Sequence, residues 1–219
     1  MTNPAAYAEY NPLDYDNLTL NCVRELMSRG PYPLPFQHPF PGAGVYALFY
    51  TGDLPAYALL RSPEAAQPIY VGKAVPPGAR TGRAARSGTP SRALHGRLQQ
   101  HAGSIRAATN LRVDDFLCRY LVVTPLWITM AERFLIEHYH PLWNVFLDGF
   151  GNHAPGRGRN EGEISWWDAL HPGRSWVTLL RQTRTTGEAE ERVRQFLGAS
   201  TVEQEVITTK ALESGVAET

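Results

Sequence analysis

Glu132 is a carboxylate on the apolar face of a predicted helix, a position in which it could bind a metal ion. Residues 126–140 carry apolar side chains three and four positions apart, a spacing that predicts one apolar helix face. Glu132 lies four residues after Ile128 and four before Ile136, so its carboxylate points into that face. Burying a carboxylate is unfavourable unless it is paired or holds a cation. Two interpretations stay open: an ion pair, with Arg97 as a candidate partner, or a ligand for Mg²⁺, which needs few protein carboxylates when substrate phosphates complete its shell. We favour the metal ligand, and the two can coexist.

Arg97 and His101 lie four residues apart and so share one side of a second predicted helix. An arginine can stabilise the charge that develops at a phosphate in a transition state. A histidine one turn away can share a proton with a tyrosine or a water molecule. Each also has an ordinary interpretation, Arg97 as a charge that steers phosphates and His101 as a residue bordering the apolar face.

Two tyrosines lie beside glycines in predicted strands, in Gly44-Val45-Tyr46 and Tyr70-Val71-Gly72. Strand periodicity alone indicates packing residues. A phenol has an ordinary pKa of about 10 and needs help to act as a base. Lys73, Arg97 and a bound cation would favour the phenolate.

The elements that must position these residues follow the order β-β-α-β-α. The predicted strands cover residues 44–50, 68–72 and 115–123, and the helices between and after them cover residues 91–107 and 126–140. This order predicts an α+β fold in which a small, mainly antiparallel sheet of about three strands is flanked by helices, with N- and C-terminal extensions.

The extensions have their own signals. A helix over residues 17–27 precedes a proline-rich connector at residues 31–35, and this arm either packs on the domain or embraces a second subunit. Trp166-Trp167 and residues 176–180 are predicted to form a satellite core. A last helix over residues 188–197 is expected to end in a frayed acidic tail.

Charge is neutral in total but uneven along the chain. The formal net charge is +0, yet Lys73 to Arg112 contains eight Lys or Arg and no Asp or Glu. Such a block favours binding of a polyanion over the alternative of a solvated helix face. Cys22 and Cys118 fit no zinc or redox spacing, and with the lack of a signal peptide or membrane-spanning run they predict a reducing, cytoplasmic setting.

Taken in order, these motifs resemble those of nucleases of the GIY-YIG superfamily, with Val in place of Ile in both naming motifs. Arg97-x-x-x-His101, Glu132-x-x-Leu135-Ile136 and Pro141-x-x-Asn144 also match, and the likeness covers about residues 40–147. Within the superfamily the chain is similar to small type II restriction endonucleases that cut the palindrome CCGCGG. That likeness rests on the segment from Tyr70 to Val75, the arginine-rich insert after it, and the segment from Gly149 to Arg159. It divides the chain into an arm (1–40), a GIY-YIG-like catalytic core (41–148) and a C-terminal extension with a DNA-contacting loop (149–219), within a single compact domain.

The resemblance implies a role for each matched residue in hydrolysis without a covalent intermediate. Tyr46 would be the general base, with His101 taking or relaying the proton. Glu132 would hold Mg²⁺ or Mn²⁺ on the scissile phosphate, while Arg97 and Tyr70 would contact that phosphate. Lys73 would help to lower the pKa of Tyr46, and Asn144 would brace the site.

A palindromic target implies double-stranded DNA and a second copy of the chain as partners, with neither a membrane nor a small-molecule cofactor. The candidate DNA contacts are Arg80, Arg83, Arg86, Asn152, His153, Arg157 and Arg159. Arginine suits guanine edges, but each single arginine is favoured as a positioning contact over a base reader, and in the alternative interpretation most of these residues touch phosphates only. The alternatives are a homing or repair nuclease on the same scaffold and a DNA-binding module without catalysis.

Overall fold

The computed structural model describes residues 11–76, 91–154, 162–199 and 201–214. In these ranges a four-stranded antiparallel sheet is flanked by helices, so the α+β fold predicted from the sequence is confirmed. The strands are β1 (Tyr32–Pro33), β2 (Gly44–Tyr50), β3 (Tyr70–Ala74) and β4 (Phe116–Val122). The helices are α1 (Tyr15–Met27), α2 (Ala93–Ala107), α3 (Ile128–Tyr139), α4 (Leu142–Val145), α5 (Trp166–Leu170), α6 (Thr186–Gly198) and α7 (Thr201–Glu213). None of the helices in the described ranges has the length and apolar character needed to span a bilayer.

The sheet has the order β1-β4-β2-β3, and each neighbouring pair is antiparallel. All seven residues of β2 are buried, which explains why this strand is continuously apolar rather than alternating. The structure adds the edge strand β1 to the three predicted strands. This strand was not predicted because its two residues lie in the proline-rich connector. Pro33 is tolerated there because β1 is an edge strand.

The described part of the N-terminal arm packs on the domain. Leu26 of α1 is fully buried, and the ring of Tyr15 lies edge-on to Phe134 of α3 with 4.7 Å between centroids. Contact of this arm with a second subunit stays a prediction.

The prediction of a frayed tail after residue 197 is wrong for residues 201–214, and residues 215–219 lie outside the described part of the chain. Helix α7 follows α6 directly and packs back on the domain, where Thr208 Oγ1 lies 2.7 Å from His140 Nδ1. Its Ala211 is buried in the core. Among its described side chains, only Thr208 and Ala211 are buried. The apolar pattern is therefore too sparse to predict a helix that packs on the domain.

A buried hydrogen-bond network crosses the core away from the two motif tyrosines. The amide nitrogen of Asn110 donates to the carbonyl oxygen of Leu170, which leaves its Oδ1 as an acceptor. His171 Nδ1 therefore carries the proton and donates to Asn110 Oδ1 at 2.8 Å. His171 Nε2 therefore accepts from the hydroxyl of Tyr57, which also accepts from Trp143 Nε1 at 2.9 Å. Trp143 packs edge-on to Trp167, with 5.7 Å between ring centroids. Trp167, which was expected in a satellite core, therefore lies in the main core.

This network predicts loss of stability in acid. Burial, together with the charge of Arg174, lowers the pKa of His171 to about 3. Below the ordinary histidine pKa of about 6.5, the unfolded chain binds a proton that the folded chain does not, so stability is present above that pH and is lost as pH falls towards 3. The free energy of unfolding should fall by about 1.4 kcal/mol per pH unit for this one group.

Urea titrations between pH 4 and pH 6 test this slope. His171→Gln keeps an acceptor for Tyr57 but does not titrate, and it should flatten the slope by about that amount. His38→Gln, at an exposed histidine, should leave the slope as in the parent chain. An unchanged slope in His171→Gln would show that this histidine is not buried in its neutral form.

Candidate active site

The two motif tyrosines lie on one face of the sheet. Tyr46 of β2 is paired with Gly72 of β3, and Tyr70 lies two residues before Gly72, so strand alternation puts both phenols on the same side. Their ring centroids are 6.2 Å apart. A Cβ atom on Gly72 would lie 2.6 Å from Cζ of Tyr46 and 2.9 Å from Cε1 of Tyr70. The glycine of the second motif therefore leaves the space that both rings occupy.

Tyr46 forms a buried hydrogen bond with His101 of α2. The distance from Oη to Nε2 is 2.6 Å, and the two residues are 0% and 2% exposed. Burial raises the pKa of Tyr46 well above its ordinary value, and the nearby Tyr70 and Glu132 raise it further, against the lowering effect of Arg97. Arg97 thus favours the phenolate, as predicted, but burial outweighs it and the phenol stays protonated.

His101 is neutral for the same physical reason. Burial lowers its pKa well below 6.5, and the positive charge of Arg97 lowers it further. The pKa of Tyr70 is raised to about 12, again mainly by burial. Near neutral pH the hydrogen bond thus joins a protonated phenol to an uncharged imidazole. The phenol can give its proton to the imidazole while it accepts one from another donor, so that no phenolate has to form first.

Glu132 points inward from α3, as the helical spacing predicts. It is 7% exposed, and its Oε2 lies 2.8 Å from Nζ of Lys73. Lys73 follows Gly72 on β3, so its side chain leaves the other face of the strand. This ion pair is formed with Lys73, whereas the partner considered from the sequence was Arg97. The carboxylate is also close enough to Tyr46 and Tyr70 to raise both their pKa values.

Asn144 holds the edge of the sheet. Its Oδ1 accepts from the backbone nitrogen of Val71 at 2.7 Å, and its Nδ2 donates to the carbonyl oxygen of Val71 at 2.7 Å. The side-chain amide thus makes the two hydrogen bonds that a further strand would make with β3. Val71 lies between Tyr70 and Gly72, so Asn144 fixes the strand that carries them.

Arg97 is held at the border of the site by the segment after α4. Its Nη1 lies 2.6 Å from Nε2 of His153, and its Nη2 donates to the carbonyl of Gly151 at 3.2 Å. A guanidinium has no acceptor, so His153 accepts at Nε2 and is neutral. Burial and the charge of Arg97 lower the pKa of His153 accordingly.

The candidate DNA contacts fall into two groups. Asn152 is partly exposed and His153 is exposed. His153 contacts Arg97, and Asn152 precedes it in the chain. The other candidates lie outside the described residues, so their predicted contacts stay predictions: Arg80, Arg83, Arg86, Arg157 and Arg159.

Sequence reasoning assigned no role to Phe150, whose buried ring packs against two residues of the site. Its ring is stacked on that of His101 with 4.5 Å between centroids and 16° between planes. It also lies edge-on to Tyr70 at 5.0 Å. The available signal was a single aromatic residue between two glycines, and this pattern predicts a turn but not what the aromatic ring contacts.

A comparison with protein-family models finds a match over most of the chain. The family model described as the Eco29kI GIY-YIG domain matches residues 38–197. The match includes all seven candidate catalytic residues and continues past residue 148 into the C-terminal region. No curated protein matches the chain.

Proposed function

The chain belongs to the Eco29kI GIY-YIG family of restriction endonucleases, and from this premise we propose that it cuts both strands of DNA at a palindromic, G·C-rich site, CCGCGG. The nuclease activity and the DNA substrate follow from the family. The target, the use of Mg²⁺ or Mn²⁺, the homodimer, the cytoplasmic setting and the roles of the residues are the proposal. The observation that carries it is the buried hydrogen bond between Tyr46 and His101, with the inward-facing Glu132 carboxylate close enough to raise the pKa of Tyr46.

The neutral pair supports a relay of protons in place of a standing phenolate. A water molecule that attacks phosphorus would lose its proton to Oη of Tyr46, while the phenol proton moves to Nε2 of His101, 2.6 Å away. His101 can accept because burial and Arg97 keep it uncharged. Arg97, held by Gly151 and His153, would bind the phosphate and stabilise the charge that builds on its oxygens.

Glu132 would hold the divalent ion that nucleases of this family generally use. No cluster of three or more His, Cys, Asp or Glu that could bind a metal occurs among the described residues. We propose that the protein contributes the Glu132 carboxylate alone. Mg²⁺ accepts such a site, because it keeps several waters and takes phosphate oxygens from the substrate. When bound, the ion would supply Lewis-acid stabilisation of the phosphate.

A plasmid assay tests the proposal. Supercoiled DNA with one CCGCGG site should become linear with Mg²⁺, stay intact with EDTA, and stay intact when the site is altered at one base pair. Sequencing of the ends gives the cut position, and sedimentation of the protein with a duplex containing the site gives the number of subunits. Binding without cleavage would instead favour the DNA-binding module, and cutting that ignores the palindrome would favour a homing or repair nuclease.

A further inference from the structure

Arg174 joins the carboxylate of Asp168 to one short segment of the chain. Two of its bonds go to the carboxylate of Asp168, from Nε to Oδ1 and from Nη2 to Oδ2, each at 2.6 Å. Three go to backbone carbonyls, of Gly149 at 2.8 Å, Phe150 at 3.2 Å and Asn152 at 3.1 Å. A guanidinium has five N–H donors, and these bonds account for that number. We name residues 149–153 the site turn.

The anchor behind Arg174 is rigid. Asp168 Oδ2 accepts from the hydroxyl of Ser165 at 2.6 Å, and the same hydroxyl accepts from the backbone nitrogen of Asp168. The guanidinium carbon lies over the rings of Trp167 at 4.6 Å and Trp176 at 4.8 Å. Arg174 is 5% exposed, so its geometry is set by packing and charge together.

The site turn has little freedom to adopt another path. Gly149 has φ +108°, and a Cβ atom there would collide with the side chain of Ser165. The carbonyls of residues 149, 150 and 152 point to Arg174. The carbonyl of Gly151, which lies between them, accepts from Arg97.

The groups that the turn presents on its other side are those of the candidate active site. Gly151 and His153 hold the Arg97 guanidinium, and the Phe150 ring is stacked on His101. A change in the bonds of Arg174 would therefore move Arg97 and weaken the packing of the Phe150 ring on His101. No part of Arg174 needs to touch DNA for this effect.

We propose that Arg174, anchored by Asp168, is a positioning residue that fixes the site turn and, through it, the Arg97 guanidinium that binds the scissile phosphate. This inference rests on the proposed function, because it assigns Arg97 to the phosphate. The competing interpretation is a purely structural ion pair that stabilises the fold around α5. The two interpretations differ in whether the effect of Arg174 on the cleavage rate depends on the presence of Arg97.

A double-mutant cycle measures that coupling. Arg174→Lys keeps the charge but cannot make five planar bonds, and it should lower the single-turnover cleavage rate roughly 10- to 100-fold with less than about threefold change in the Kd for DNA. In an Arg97→Ala background the same change should lower the rate by less than about threefold. Equal rate losses in both backgrounds, or no loss in the parent, would overturn the proposal.

Arg119→Lys is the matched control. Arg119 is 7% exposed and also donates to backbone carbonyls, among them Met27 and Ala65, but strand alternation puts it on the sheet face opposite Tyr46. Its substitution should cost stability without depending on Arg97. If Arg174→Lys does not fold, Asp168→Asn, which weakens the same anchor, takes its place in the cycle.

Hydrogen exchange separates this inference from the proposed function. Arg174→Lys should speed exchange of the amides of residues 150–153 at least tenfold, whereas Arg119→Lys should not. If the parent chain cuts no DNA, the proposed function fails, and exchange still decides whether Arg174 fixes the turn. Unchanged exchange in Arg174→Lys would refute the positioning role whether or not the chain cuts DNA.

Discussion

Glu132→Gln is expected to lower the single-turnover rate of DNA cleavage by roughly 10³-fold or more, and Glu132→Ala should do the same. Glutamine has the size of glutamate but lacks the negative charge that would hold a divalent ion against the phosphate. It also leaves the ammonium of Lys73, now 2.8 Å from the carboxylate, without its charged partner. The rate is measured on a duplex containing the target site, with Mg²⁺ and excess enzyme.

Binding to that duplex, followed by fluorescence anisotropy with EDTA present, should change by less than about fivefold, because the substitution leaves the proposed phosphate-binding basic groups in place. Glu137→Gln is the matched control on the same helix. Glu137 pairs with Arg133 at 2.9 Å and with the hydroxyl of Tyr15, away from the site, so this variant should cut normally. Cleavage by Glu132→Gln at the rate of Glu137→Gln would remove Glu132 from the metal site.

The inward direction of Glu132 could be predicted from sequence because it depends on local geometry. Helical spacing alone relates Glu132 to Ile128 and Ile136, and a helix keeps that relation wherever it packs. The same reasoning placed Arg97 and His101 on one side of α2. In the same way, the strand β2 was predicted with the bounds it has in the structure.

The partners of these residues could not be predicted, because they depend on how distant elements pack. Lys73 reaches Glu132 across the β3–α3 contact, and no spacing within either element encodes that distance. The raised pKa of Tyr46 follows from complete burial, which outweighs the charge of Arg97. Sequence reasoning counted the charges around the phenol but had no measure of its desolvation.

Tyr46→Phe is the second substitution with a large expected effect, a loss of about 10²- to 10⁴-fold in the cleavage rate. Phenylalanine keeps the ring that lies across Gly72 and removes the oxygen that would take the proton of the attacking water. It also leaves Nε2 of His101 without its bond to Tyr46, 2.6 Å away in the parent, at a cost of about 1–3 kcal/mol in stability. The rate is measured in single-turnover reactions, with stability followed by urea denaturation.

The chain offers a second tyrosine–histidine pair as the control for that stability loss. Tyr57 is also fully buried and bonded to a buried histidine, His171, in the core network rather than beside Glu132. Tyr57→Phe should therefore lose a similar amount of stability and still cut DNA at close to the parent rate. If both variants lose activity equally, the effect of Tyr46→Phe belongs to folding. If Tyr46→Phe stays within tenfold of the parent, a group other than this phenol accepts the proton from water.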